Sequence, residues 1–123
     1  MIRTTLVGHA CLLIQSKETT ILTDPVWFDY LWEEINTLCP SIVLDKDKVP
    51  PLDVLNISHR HQDHFDVRTL AYLVKNERIL TPDTLILAPQ DNLLLDILNE
   101  LEFKNIKVVT DFEPIQVKDV TIT

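Results

Sequence analysis

Residues 54 to 66 read Val54-Leu55-Asn56-Ile57-Ser58-His59-Arg60-His61-Gln62-Asp63-His64-Phe65-Asp66. Val54 to Ile57 has the pattern of a short apolar strand. Asp66 is placed to cap a helix whose apolar residues Val67, Leu70, Ala71 and Val74 fall at helical spacing. Between them lie His59, His61, Asp63 and His64. On a helix, residues two apart face nearly opposite sides. On extended backbone they face the same side, so His59 and His61 can converge on one ion. Asp63 and His64 then stand where the chain turns and can offer ligands to a second, neighbouring ion. Imidazole with carboxylate suits Zn, Fe or Mn, and no thiolate is required. A solvated loop that happens to be histidine-rich is the ordinary alternative. It accounts poorly for a defined spacing set between a buried strand and a capped helix.

The rest of the chain can be read outward from this stretch. Upstream, Ile2 to Val7, Ala10 to Gln15 and Thr19 to Thr23 alternate as three strands of an antiparallel meander, with tight turns at Gly8-His9 and Ser16-Lys17-Glu18. Asp24-Pro25 ends the meander, because proline removes a ladder donor. Val26 to Pro51 is the least regular stretch. Its aromatic residues Trp27, Phe28, Tyr30 and Trp32 form either an apolar lip for an acyl or lipid-like substrate or packing that covers a sheet edge. Downstream, Thr84 to Ala88 reads as a strand buried on both faces. Gln90 to Glu102 follows as a helix with Leu94, Ile97, Leu98 and Leu101 on one face, and Ile106 to Val109 and Ile115 to Thr123 return to strand. A meander followed by strand–helix–strand–helix–strand predicts an α/β layered fold. Exposed apolar surface, and self-association through it, is expected if the layers are left uncovered.

Composition narrows the function. Eleven basic and nineteen acidic side chains give 123 residues a net charge of −8, which argues against a nucleic-acid partner. A single glycine, Gly8, is too few for phosphate-cradling or dinucleotide loops. The length predicts one domain over residues 1–123. Cys11 and Cys39 stand far apart, so each is expected to be a small buried hydrophobe and not part of a disulfide or thiolate site. No apolar run is long enough to span a bilayer and no secretory pattern opens the chain, so a cytoplasmic location is the default expectation.

The H-x-H-x-D-H run after a hydrophobic strand resembles the signature of the metallo-β-lactamase-fold superfamily. Leu6-Val7-Gly8-His9-Ala10 and Ile21-Leu22-Thr23-Asp24-Pro25 resemble segments of its lactonase-like branch, which includes N-acyl-phosphatidylethanolamine phospholipase D-type members. The resemblance implies the first half of an αββα sandwich. It also implies that His59 and His61 bind one metal and that Asp63 and His64 bind the next, with two ions in the complete site. Zinc is the first expectation, with iron or manganese as alternatives. It further implies a metal-bound hydroxide that cleaves an ester, lactone, phosphodiester or amide in a small-molecule or lipid-like substrate. Asp63 would help to orient that nucleophile. Asp24 matches a position that supports the metal loop by hydrogen bonding, and a plain strand-terminating turn is the alternative. His9 either faces the site or serves as a structural histidine of a hairpin turn, the more ordinary role.

A catalytic zinc site normally has three protein ligands, and this motif gives each ion two. After His64 the sequence has no histidine. Asp83, Asp91, Asp111 and Glu113 each have an ordinary role as turn, cap or surface residue. The domain is therefore expected to be an incomplete one, the N-terminal portion of a metallo-hydrolase. Two other readings stay open: a di-iron redox protein of the same fold, and a catalytically incompetent fragment acting as a binding or assembly module.

Overall fold

The structure is a computed structural model, and it describes residues 1–31 and 36–123. The meander consists of β1 (Arg3–Gly8), β2 (Cys11–Gln15) and β3 (Thr20–Thr23), paired antiparallel with Ile14 opposite both Thr4 and Ile21. Two short strands, β4 (Tyr30–Leu31) and β5 (Asn36–Thr37), pair with each other. The main sheet continues through β6 (Val54–Asn56), β7 (Leu85–Ala88) and β8 (Ile106–Val108), in the order β1-β2-β3-β6-β7-β8. From β3 onward the pairing is parallel, with Leu22 beside Leu55 and Leu55 beside Ile86. The helices α1 (Val67–Val74) and α2 (Asn92–Glu100) are the crossovers from β6 to β7 and from β7 to β8, and the link from β3 to β6 carries β4 and β5 instead.

Strand alternation divides the core. Leu22, Leu55 and Ile86 face the helices and pack with Leu70, Leu73, Leu94, Leu98 and Phe103. Ile21, Val54 and Leu87 face the other way, against Ile115, Val117, Val120 and Ile122. The central strands are buried on both faces for this reason. The expected α/β layering is present, and the first helix starts as the sequence predicts, after Asp66, whereas the second starts two residues later than Gln90, after Asp91. Asp66 accepts from the Thr69 amide, and Asp91 accepts from the Leu94 amide. The second helix is shorter than the Gln90–Glu102 expected. It stops because Glu102 turns left-handed, at φ 68°, and the Phe103 amide closes back on the Leu98 carbonyl.

Three expectations need correction. The β1–β2 turn is His9-Ala10, and Gly8 remains in the strand. His9 takes the left-handed φ of 52°, while glycine at position 8 serves a close approach: a Cβ there would sit 2.7 Å from Ile42 Cγ1. Ile115 to Thr123 is not one strand but a hairpin of β9 (Ile115–Val117) and β10 (Val120–Ile122). Its apolar residues slip out of period two between Val117 and Val120, where Lys118 turns at φ 48°. Cys39 is exposed, unlike Cys11, and lines a cleft beside Gly8 and His9. Among the aromatic residues, Trp27 is core packing: it is buried, and its amide donates to Thr69 Oγ1. Phe28 lies beneath the Lys46 and Arg68 cations. Trp32 and the side chain of Tyr30 lie outside the described residues.

The hairpin is clasped to the β2–β3 turn by charged groups. Asp119 Oδ1 accepts from Ser16 Oγ and Thr19 Oγ1, each at 2.6 Å. Lys118 Nζ lies 2.6 Å from Asp53 Oδ1. The two hydroxyl donors hold the Asp119 carboxyl below its ordinary 3.8, and the bond to Asp53 holds Lys118 above its ordinary 10.5. A depressed acid contributes stability above its unfolded pKa and loses it as pH falls through the lower, folded value. A raised base contributes below its unfolded pKa and loses it as pH rises through the higher, folded value. Amide shifts of Val117 and Val120 should therefore be flat at intermediate pH, with one transition below 3.8 and another above 10.5. Asp119→Asn should abolish the acid transition, and its persistence in that variant would rule out this clasp.

Candidate metal centre

Parallel pairing of β3 with β6 sets Thr23 beside Asn56. The next residues, Asp24 and the 57–65 loop, therefore leave the sheet together at the carboxyl ends of these strands. This is where α/β sheets build their sites. The loop leaves the strand without regular structure at residues 57–60, then tightens as the His64 and Phe65 amides bond to the His61 carbonyl. Arg60 Nε reaches Asp91 Oδ2 at 2.9 Å, tying the loop to the start of α2.

Asp24 is buried beneath this loop, with a left-handed φ of 36°. Its Oδ1 accepts from the Ser58 amide at 2.7 Å, and its Oδ2 accepts from Ser58 Oγ at 2.6 Å and His64 Nδ1 at 2.8 Å. A carboxylate only accepts, so the His64 proton resides on Nδ1. The Ser58 hydroxyl proton is likewise committed to Asp24. The 2.8 Å contact of Ser58 Oγ with His59 Nδ1 then requires His59 Nδ1–H to donate. Both rings are left with an Nε2 lone pair facing away from the support, which is the tautomer a metal ligand needs.

Asp63 Oδ2 lies 3.0 Å from His9 Nε2 and 3.6 Å from His64 Nε2. Desolvation pushes the Asp63 carboxyl up, but the hydrogen bond from His9, its own backbone amide and the nearby imidazoles outweigh it and hold the pKa below the usual value. Ligand atoms of His9, Asp63 and His64 lie within 4.8 Å of one another. The rings of His59 and His61 meet at 4.7 Å between centroids, and those of His59 and His64 at 4.2 Å.

Asp63 and His64 of the H-x-H-x-D-H run join a ligand-atom cluster with His9, whereas His59 and His61 are outside it and meet it through ring contacts; Asp83, Asp91, Asp111 and Glu113 do not join it among the described residues either. One participant, Ser58, was not singled out by sequence, and for His9 the structure chooses between two readings. Ser58 joins Asp24 to His59, and the signal available was a hydroxyl residue directly before the first histidine. His9 faces Asp63 instead of serving only as a turn residue, and nothing local in the sequence signals that meeting. Clefts of about 330 Å³ beside His61, Phe65 and Leu93, and about 240 Å³ beside His9 and Cys39, flank the cluster. The buried thiol of Cys11 is pushed up to about 11 by desolvation and is inert at neutral pH.

Residues 3–123 match the family model of the beta-lactamase superfamily domain. The chain belongs to this superfamily. It is 26% identical over 106 residues to a UPF0173 protein of Pyrococcus furiosus, covering 82% of this chain and 43% of that protein. A possible metal-dependent hydrolase from Veillonella parvula superposes with a TM-score of 0.69 at 19% identity, over 98% of this chain and 46% of that one. CmlA, a diiron β-hydroxylase from Streptomyces venezuelae, gives 0.67 at 24% identity, over 98% and 23%. The chain spans between 15% and 43% of the two curated relatives that head the comparison. The fold is that of the metallo-β-lactamases, a fold family that binds divalent metals. No helix among the described residues is long and apolar enough to cross a membrane.

Asp24→Ala would remove the buried acceptor of three hydrogen bonds whose donors, on Ser58 and His64, are themselves open to water. A hydrogen bond to a charged group contributes about 1.5–3 kcal/mol, so urea denaturation should show a loss of about 1.5 kcal/mol or more. A loss under about 0.5 kcal/mol, the scale of an ordinary surface substitution, would show that the loop does not depend on this carboxylate.

Proposed function

We propose that this domain is the N-terminal portion of a metal-dependent hydrolase, with His59 and His61 holding one divalent cation and Asp63 and His64 a second. The observation that carries the reading is the tautomer control. Asp24 and Ser58 together commit both Nδ1 protons and leave His59 Nε2 and His64 Nε2 free. A solvated histidine loop needs no such support. The donor set of imidazole and carboxylate fits zinc first, and also iron or manganese. A divalent cation at such ligands acts as a Lewis acid and lowers the pKa of water to near 7.

The residues supply position and shape. Asp63 is half-buried between His9 and His64, so its carboxylate can orient a nucleophile. The open clefts on both sides admit a small-molecule or lipid-like ester, lactone, phosphodiester or amide. Phe65, Leu93 and Ile97 give one of them an apolar wall. A di-iron redox protein is the second reading. It draws on the same ligand types and on the shared fold of CmlA, a diiron β-hydroxylase.

Metal analysis of the purified chain tests both. At least one equivalent of bound zinc, manganese or iron is expected, falling sharply in the double variant His59→Ala/His61→Ala. Colourless zinc-loaded protein supports the hydrolase, and an iron chromophore supports the redox reading. A chain that stays metal-free after incubation with all three metals would refute both.

A further inference from the structure

We propose that the cleft between the histidine loop and α2 binds an amphiphilic anion, a carboxylate carried on a short apolar chain. This rests on the hydrolase reading for its role alone, in which the cleft takes the part of the substrate that bears that group. The cleft measures about 330 Å³ and is lined by Arg60, His61, Gln62, Phe65, Leu93 and Ile97, a volume at the small end for ligand sites. Its apolar wall comes largely from α2. Leu94 and Leu98 turn into the core and are fully buried. Leu93 and Ile97 lie one turn apart on a different flank and make a second apolar stripe. The core absorbs this stripe only in part: Ile97 is half-buried, and Leu93 is 52% exposed. A lone exposed leucine on a convex surface is ordinary. Here it stands in a concave wall that it shares with the nearly buried ring of Phe65.

Arg60 supplies the charge. Its Nε lies 2.9 Å from Asp91 Oδ2, and the other oxygen of Asp91 accepts from the Leu94 amide at 3.2 Å. These two bonds hold the guanidinium against the start of α2. They engage one nitrogen of Arg60, and its two terminal nitrogens have no partner among the described residues. A guanidinium offers paired N–H groups that match a carboxylate through two parallel bonds, and the edge between the terminal nitrogens is the one left open. In a chain of net charge −8, an open cation beside an apolar wall selects an anionic head with hydrocarbon behind it. Arg60 already shares its charge with Asp91, so a single negative charge suits it better than a phosphate dianion.

The test uses the full chain, stripped of metal with EDTA and carrying ¹³C-labelled leucine and isoleucine methyls. It is titrated with butanoate, hexanoate and octanoate, which then cannot report binding to a metal. Saturable shifts are expected at Leu93 and Ile97, with affinity rising about fourfold for each added methylene until the cleft is full. Hexanoate should bind roughly tenfold more tightly than hexanol, as a charged hydrogen-bonded head requires. Arg60→Gln should remove that preference. Leu93→Ser, at an exposed position, should weaken both ligands alike, by roughly fivefold. The wild-type comparison of hexanoate with hexanol decides alone if Arg60→Gln disturbs the start of α2. Three results overturn the inference and leave the hydrolase reading standing: no saturable shift at Leu93 and Ile97, equal affinity for hexanoate and hexanol, or ligand-free shifts that follow protein concentration, the mark of a second copy filling the cleft. A chain that binds hexanoate as expected but takes up no metal overturns the hydrolase reading and leaves the anion site.

Discussion

The buried carboxylate of Asp24 receives the Ser58 amide, the Ser58 hydroxyl and the His64 ring, and the candidate centre depends on that convergence. Three donors converging on one buried acceptor make the carboxylate costly to remove and the loop costly to shift. The consequence reaches past structure into chemistry, because the same bonds decide which ring nitrogens carry protons. His64 is set directly and His59 through the serine hydroxyl. One acidic residue therefore organises two potential ligands while contributing none of its own oxygens to the cluster.

That convergence depends on a change in pairing direction within the sheet. β3 runs antiparallel to β2 and parallel to β6. Antiparallel pairing brings the β1–β2 turn to the carboxyl end of β3, and parallel pairing brings the start of the histidine loop to the same place. The helical crossovers then cover one face, and the hairpin after β8 covers part of the other. The strand ends are left as an open, polar rim between two cores. A rigid scaffold with a polar rim is the arrangement in which ligands can be held without the core itself moving.

With a single glycine, the chain forms the left-handed turns among its described residues from other residue types: His9, Asp24, Glu102, Asn105, Phe112 and Lys118. Most lie at exposed turns or helix ends. Asp24 and His9 differ, because both border the candidate centre and both are fastened by several bonds or close contacts. Backbone strain of this kind persists where surrounding structure over-determines it, and it concentrates at functional sites.

Much of this molecule could be read from sequence. The meander, the parallel strands and both helix caps follow from hydrophobic period and from Asp66 and Asp91, because these are local preferences. The loop residues His59, His61, Asp63 and His64 and their chemistry are likewise local. The slip between Val117 and Val120 was also present in the sequence, although a continuous strand is the simpler reading of so apolar a segment. The role of Ser58 and the position of His9 could not be read in this way. His9 and Asp63 are 54 residues apart, and a turn histidine looks the same whether it faces water or a carboxylate. Sequence determined which donors the chain possesses and which elements carry them. Tertiary structure decided which donors meet, because strand order and pairing direction, not spacing along the chain, set the distances between the ends of β-strands.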